Sequence, residues 1–128
     1  IDILNTFWLI HQFIIMKIKI VILGSTGSIG SSTLKSIKGK KKFEVELLTS
    51  NKNIKKLLSQ SIKYKVKNVI IEDEKSFKKY YKIFRNKKIK LHLGIKNINN
   101  ILKRKVNYCI NAISGIDGLE PTLKAIHI

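Results

Sequence analysis

Gly24, Gly27 and Gly30 stand three residues apart directly after the apolar run at 20–23, within KIVILGSTGSIGSSTLKSI at residues 19–37. The chemistry that this residue type and spacing suit is the grip of a pyrophosphate. Glycine lets the chain turn sharply and lets main-chain amides approach a ligand with no β-carbon between them. A helix starting there adds unpaired N–H groups and a partial positive charge at its first turn. Strand, glycine turn and helix, in that order, imply dinucleotide binding. A glycine triplet of this form also occurs in plain tight turns, so its context carries the reading.

In such a fold the tip of the second strand meets the adenosine ribose. A carboxylate there binds a free 2′-hydroxyl, whereas a cation with no carboxylate suits a 2′-phosphate. Residues 49–53 read Thr-Ser-Asn-Lys-Asn. Lys52 is the natural partner of the phosphate, with Ser50, Asn51 and Asn53 as hydrogen-bond donors. Glu44 and Glu46 fall too early in the strand to reach the ribose. NADPH is therefore expected over NADH, although Lys52 without its position is one more solvated lysine in a lysine-rich chain. A second stretch of interest is NAISGIDGLEPTLKAI at 111–126, where a strand ends in a Gly115-x-x-Gly118 loop and Pro121 opens a helix at a position that needs no N–H. A loop so placed can pass under a nicotinamide or serve as an ordinary connection.

The scaffold that must position these residues reads as alternating strands and helices. After the strand at 20–23 comes a helix with Ile29, Thr33 and Ile37 inward, then a lysine-rich turn at 40–42 after Gly39, then a strand at 43–48. Asn53 caps a helix whose Ile54, Leu57, Leu58 and Ile62 recur at helical spacing, and 68–71 reads as a buried third strand. Glu72, Asp73 and Glu74 precede a helix with Phe77, Tyr80, Tyr81 and Phe84 on one stripe, and a short strand at 90–93 is closed by Gly94. Asn97 caps a further helix through Lys103 with Ile98, Ile101 and Leu102 inward, before a strand at 107–113. The pattern defines an α/β fold with a doubly wound, mostly parallel sheet, a Rossmann-like NAD(P)-binding domain that is truncated.

At 128 residues the chain allows one modest domain, too short for a dehydrogenase that carries a substrate half as well. The last helical pattern, with Leu123 and Ile126 inward, stops at Ile128 without a cap, so the chain is expected to be a fragment. A net charge of +18 ordinarily points to nucleic acid or an anionic membrane. Of the 26 basic residues, however, only Arg85 and Arg104 are arginine, the residue that grips phosphate or guanine in a fork. The lysines spread over every expected surface, which reads as compositional bias, and neither nucleic acid nor membrane is expected as a partner. A basic nucleic-acid-binding module remains the alternative from another class.

Cys109 stands alone in an apolar strand pattern, so a packed thiol in a reducing, cytoplasmic setting is expected. His11, His92 and His127 share no metal-ligand spacing. The acids at 72–74 suit a helix start better than a metal, and the aromatic stripe suits a core face. Residues 1–15 are apolar but make a poor signal peptide and a short membrane span. They are expected to be an upstream or non-native extension, or else an anchor remnant, with the domain running over 16–128 from Met16.

GSTGSIGSSTLKSI together with NAISGIDGLEPTLKAI resembles the N-terminal NADPH-binding domain of the 1-deoxy-D-xylulose 5-phosphate reductoisomerase family, from Met16 to the end. The resemblance implies that Thr26, Gly27, Ser28 and Ile29 contact the cofactor. It also implies a contact set at Asn51, Lys52 and Asn53, where the family commonly has Gly-Lys-Asn. Asn at the first position also tolerates a left-handed backbone, so the departure is mild. By the same resemblance the whole enzyme is a homodimer that rearranges and reduces a phosphosugar, with NADPH as hydride donor and a divalent metal, Mg or Mn, holding the substrate oxygens. The family's metal carboxylates and catalytic lid would follow residue 128, so no catalytic or metal residue is expected in this chain and the piece is not expected to turn over substrate. Another NADP-dependent oxidoreductase, such as an aspartate-semialdehyde or homoserine dehydrogenase relative, is the nearer alternative.

Overall fold

The computed structural model describes residues 2–15, 17–102 and 106–113. The chain begins with an apolar helix, α1 (Ile3–Ile15), whose Ile3, Leu4, Phe7, Trp8, Leu9 and Ile10 are all exposed. Five strands then form one parallel sheet: β1 (Ile18–Leu23), β2 (Phe43–Ser50), β3 (Asn68–Ile71), β4 (Lys90–Leu93) and β5 (Tyr108–Asn111). Their spatial order is β4-β3-β2-β1-β5. The chain therefore marches outward from β1 to β4 and returns to the other side of β1. The reversal falls between β1 and β5, where an open α/β sheet leaves a crevice at its carboxyl edge. Among the described residues no helix is long and apolar enough to cross a membrane.

Both faces of the sheet are covered, as strands apolar on both sides require. Ile20, Ile22, Val45, Leu48, Val69, Ile71 and Leu91 pack with Leu34, Leu57 and Phe84. That layer holds α2 (Ser28–Ile37), α3 (Ile54–Lys63) and α4 (Glu74–Asn86). Val21, Leu23, Leu47 and Ile70 face the other way, toward Ile98 and Leu102. Among the described residues the cover there is a 3-10 turn, Ile95–Asn97, running into α5 (Ile98–Ile101).

Between β1 and β2 the register slips once: Ile20 faces Val45 but Val21 faces Leu47, leaving Glu46 as the extra residue of a bulge. The slip explains why Val45 and Leu48 share one face while Leu47 takes the other. Simple alternation would put Val45 and Leu47 together.

Several sequence expectations need correction. Ile29 does not face inward; it is 65% exposed, and the buried stripe of α2 is Gly30 and Leu34, with Ile37 half-buried. On α3 the inward residues after Leu57 are Gln60 and Ser61, while Ile62 is exposed. Tyr81 is exposed, its ring tilted at 52° to that of Phe77 with the centroids 5.4 Å apart. Asn97 lies inside the 3-10 turn instead of capping a long helix, because that segment passes through a tight turn before one short α-helical stretch. The expected helix after Pro121 and the Gly115–Gly118 loop lie outside the described residues.

Candidate functional site

The glycine turn leaves the buried end of β1 at the reversal point. Gly24 takes φ +76°, a left-handed conformation that favours glycine, and a β-carbon there would press on Ile113 N at 3.0 Å and Ala112 C at 3.1 Å beyond β5. Gly30 is required for packing, because its β-carbon would fall 2.4 Å from Gly24 O. Gly27 differs from both. Its φ is −74°, and a β-carbon would meet nothing closer than Gly24 O at 3.7 Å. The protein's own interior does not require glycine there, and the space beside it is open.

Gly27 is also the N-cap of α2 and supplies no side-chain acceptor. The contrast with the neighbouring helices is informative. Asn53 caps α3 by accepting from Lys56 N, and Asp73 caps α4 by accepting from Ser76 N at 3.1 Å. The first amides of a helix have no carbonyl partner within it, and on α2 they belong to Ser28, Ile29 and Gly30. Gly27, Ser28 and Ile29 are exposed, and Thr26 is half-buried beside them. A shallow groove lined by Ser28, Ile29, Ser32 and Thr33 continues along the outer side of α2. This is an anion-binding geometry left open to solvent.

The tip of β2 is fastened to that turn. Gly24 N donates to Thr49 Oγ1 at 2.9 Å, Ser25 N donates to Thr49 O at 2.9 Å, and the Thr26 and Ser50 hydroxyls are 2.7 Å apart. Beyond it Asn51, Lys52 and Asn53 are exposed in a row. The structure thus brings the two expected residue groups, Thr26–Ile29 and 51–53, to the same carboxyl edge. Glu44 and Glu46 lie in the first half of β2, at the far end of the sheet. They line a depression of about 580 Å³ with Lys67, Lys90 and His92, and Glu46 lies 3.9 Å from the ammonium of Lys19.

Two features escaped sequence reasoning. The first is Asp73 at the adjoining tip of β3, whose main-chain N–H donates to Asn51 O at 2.9 Å. The carboxyl of Asp73 is held below its ordinary value by hydrogen bonds from the Ser76 hydroxyl and amide, with a smaller contribution from the charge of Lys52. A carboxylate therefore stands near Lys52, although it arrives from the next strand. The second is Gln60, buried against Ser25. Its signal was a polar residue three positions after Leu57, on the apolar stripe of α3.

The other candidates behave as ordinary structure. Glu72 Oε1 accepts from Ile95 N at 2.7 Å, and Glu74 pairs with Lys78 at 3.3 Å across one helical turn. Burial raises the pKa of the Cys109 thiol, and no group of three or more potential metal ligands exists among the described residues.

A parallel sheet reversing at β1/β5, with a glycine turn feeding an uncapped helix at the reversal, defines a dinucleotide-binding α/β domain. The family model for 1-deoxy-D-xylulose 5-phosphate reductoisomerase matches residues 20–128, and the chain belongs to that family. The reductoisomerase of Pelagibacter ubique is 50% identical over 111 residues, covering 84% of this chain and 29% of that protein. That of Wolbachia pipientis subsp. Culex pipiens is 35% identical over 109 residues, covering 84% and 28%. Among solved structures, the Zymomonas mobilis reductoisomerase in complex with NADPH superposes with a TM-score of 0.77 at 28% identity, over 87% of this chain and 30% of that one. A reductoisomerase in complex with NADPH, fosmidomycin and magnesium gives 0.75 at 25% identity, over 84% and 27%. The chain spans about 29% of the length of the curated relatives it matches.

Proposed function

We propose that this chain is the NADPH-binding part of a 1-deoxy-D-xylulose 5-phosphate reductoisomerase, the domain running from residue 16. The longer protein would rearrange and reduce its phosphosugar substrate to 2-C-methyl-D-erythritol 4-phosphate. The observation that carries the reading is the open space at Gly27 above an uncapped helix, in a family with members solved in complex with NADPH.

The residues present fit the cofactor. The pyrophosphate would sit against Thr26, Gly27, Ser28 and Ile29, received on the main-chain N–H groups of Ser28 and Ile29 at the head of α2, with no side chain in the way at Gly27. Asn51, Lys52 and Asn53 would meet the ribose, with the ammonium of Lys52 opposite the 2′-phosphate. The chemistry supplied by the bound cofactor is hydride donation; what these residues do is bind and orient it. The divalent metal is assigned to carboxylates in the remainder of the longer protein, since Glu72 and Asp73 already accept main-chain N–H groups.

Titration of the chain with NADPH, NADH and duplex DNA at two salt concentrations tests the reading. Saturable NADPH binding tighter than NADH, with no specific DNA complex, is the expected result. A steeply salt-dependent DNA affinity with no response to NADPH would overturn it in favour of a basic nucleic-acid-binding module.

A further inference from the structure

Ser25 and Gln60 are thirty-five positions apart in sequence, yet they form a reciprocal buried pair. Ser25 Oγ donates to Gln60 Oε1 at 2.8 Å, and Gln60 Nε2 donates to Ser25 O at 2.9 Å. Ser25 is fully buried and Gln60 is 8% exposed. The orientation of the amide is fixed, because a carbonyl oxygen only accepts and must therefore face the nitrogen. Towards β2 the turn is tied to Thr49 and Ser50. Gln60 is the side chain of α3 that reaches it.

We propose that Gln60 is a positioning residue that holds the glycine turn and the head of α3 as one rigid unit. Gln60 follows the cap Asn53 by seven residues, two helical turns along the same face, so about 10 Å of helix separates the clasp from the residues beside the ribose. One end of the unit presents the first-turn amides of α2, those of Ser28, Ile29 and Gly30, and the other presents Lys52 and Asn53. A dinucleotide with a 2′-phosphate spans both ends and binds well only where their separation is set in advance. The inference rests on the NADPH reading above, and it assigns to Gln60 no contact with the ligand.

The test uses the full-length protein that carries this chain, titrated with NADP⁺ and with 2′-AMP, which occupies the ribose-phosphate end alone. Gln60→Met, similar in shape but without either hydrogen bond, is expected to weaken NADP⁺ about tenfold while leaving 2′-AMP within twofold. Gln60→Glu adds a readout that simple packing would not move. Its carboxylate cannot donate to Ser25 O, but its protonated form offers the same donor and acceptor as glutamine. NADP⁺ affinity relative to the unsubstituted protein should therefore recover as pH falls in Gln60→Glu and stay flat in Gln60→Met. Should Gln60→Met fail to fold, Ser25→Ala removes one of the two bonds in a smaller side chain and is expected to weaken NADP⁺ about threefold. Unchanged NADP⁺ affinity, an equal loss for both ligands, or no recovery at low pH would overturn the proposal. Failure of the unsubstituted protein to bind NADP⁺ would instead overturn the cofactor reading itself.

Discussion

A β-carbon on Gly30 would lie 2.4 Å from the carbonyl oxygen of Gly24, so the first turn of α2 is seated directly on the bend that ends β1. Gly30→Ala is accordingly expected to cost about 2 kcal/mol of stability, beyond the roughly 1 kcal/mol of helix propensity that alanine recovers. Gly27→Val meets no such obstacle and should unfold within about 1 kcal/mol of the parent, the loss of a good N-cap residue. Its cost should appear in binding, where NADPH and NADH are both lost. Denaturant unfolding and cofactor titration on the two variants separate the roles, and tight NADPH binding by Gly27→Val would move the site elsewhere.

Lys52 should govern the choice between the two nicotinamide cofactors. Lys52→Glu sets a like charge against the 2′-phosphate and is expected to weaken NADPH about 10- to 100-fold, with NADH changing less than about threefold. Equal weakening of both would remove Lys52 from the ribose site. The nearby Asp73 makes the opposite prediction. Asp73→Asn keeps the cap on α4 but removes a negative charge acting on Lys52, so NADPH should tighten by about twofold in the same titration.

His92 predicts how stability responds to pH. Burial, and then the charge of Lys90, hold its imidazole below the ordinary 6.5, and its Nε2 lies 3.2 Å from Asn68 Oδ1. The unfolded chain then takes up a proton near 6.5 that the folded protein accepts only at lower pH. Stability should fall as pH drops below 6.5 and level off once the folded imidazole is protonated. The lowered Asp73 carboxyl acts with the same sign further down, its contribution fading as pH falls through and below 3.8. His92→Gln should flatten the upper part of that profile in thermal unfolding, and an unchanged slope would exclude His92 as its source.

Lys88 stops α4 in a left-handed conformation, with φ +61°, where glycine is the usual residue. Lys88→Gly is expected to stabilise the fold by about 1 kcal/mol by relieving the β-carbon strain. Lys65, at φ +56° after α3, should respond alike. A loss of stability in both variants would mean that the lysine side chains contribute more than the backbone strain removes.

The glycine spacing and the strand-helix alternation were legible in the sequence because both are local. The strands at 68–71 and 90–93 emerge with the bounds expected of them, and Asn53 caps as its type suggests. The misjudged faces share one cause. Ile29 and Ile62 fall at helical spacing with apolar or inward-placed neighbours, yet Ile29 sits at the open end of α2 and Ile62 beyond the stripe set by Gln60 and Ser61. Gln60 is buried because of a partner in a distant turn, which no window of α3 contains. The ribose tip suffered likewise: residues 49–53 do lack a carboxylate, but the parallel pairing of β2 with β3 brings Asp73 alongside.

The bulge at Glu46 has a consequence at the opposite end of its strand. Everything in β2 after that spare residue is rotated half a revolution from where plain alternation would leave it, including the Thr49 hydroxyl that reaches Gly24. A deletion of Glu46 would tidy the ladder and at the same time swing the strand's tip out of phase with the crevice. The irregularity works as a phase shifter, through which a kink near the sheet's floor sets the aim of the residues on its rim.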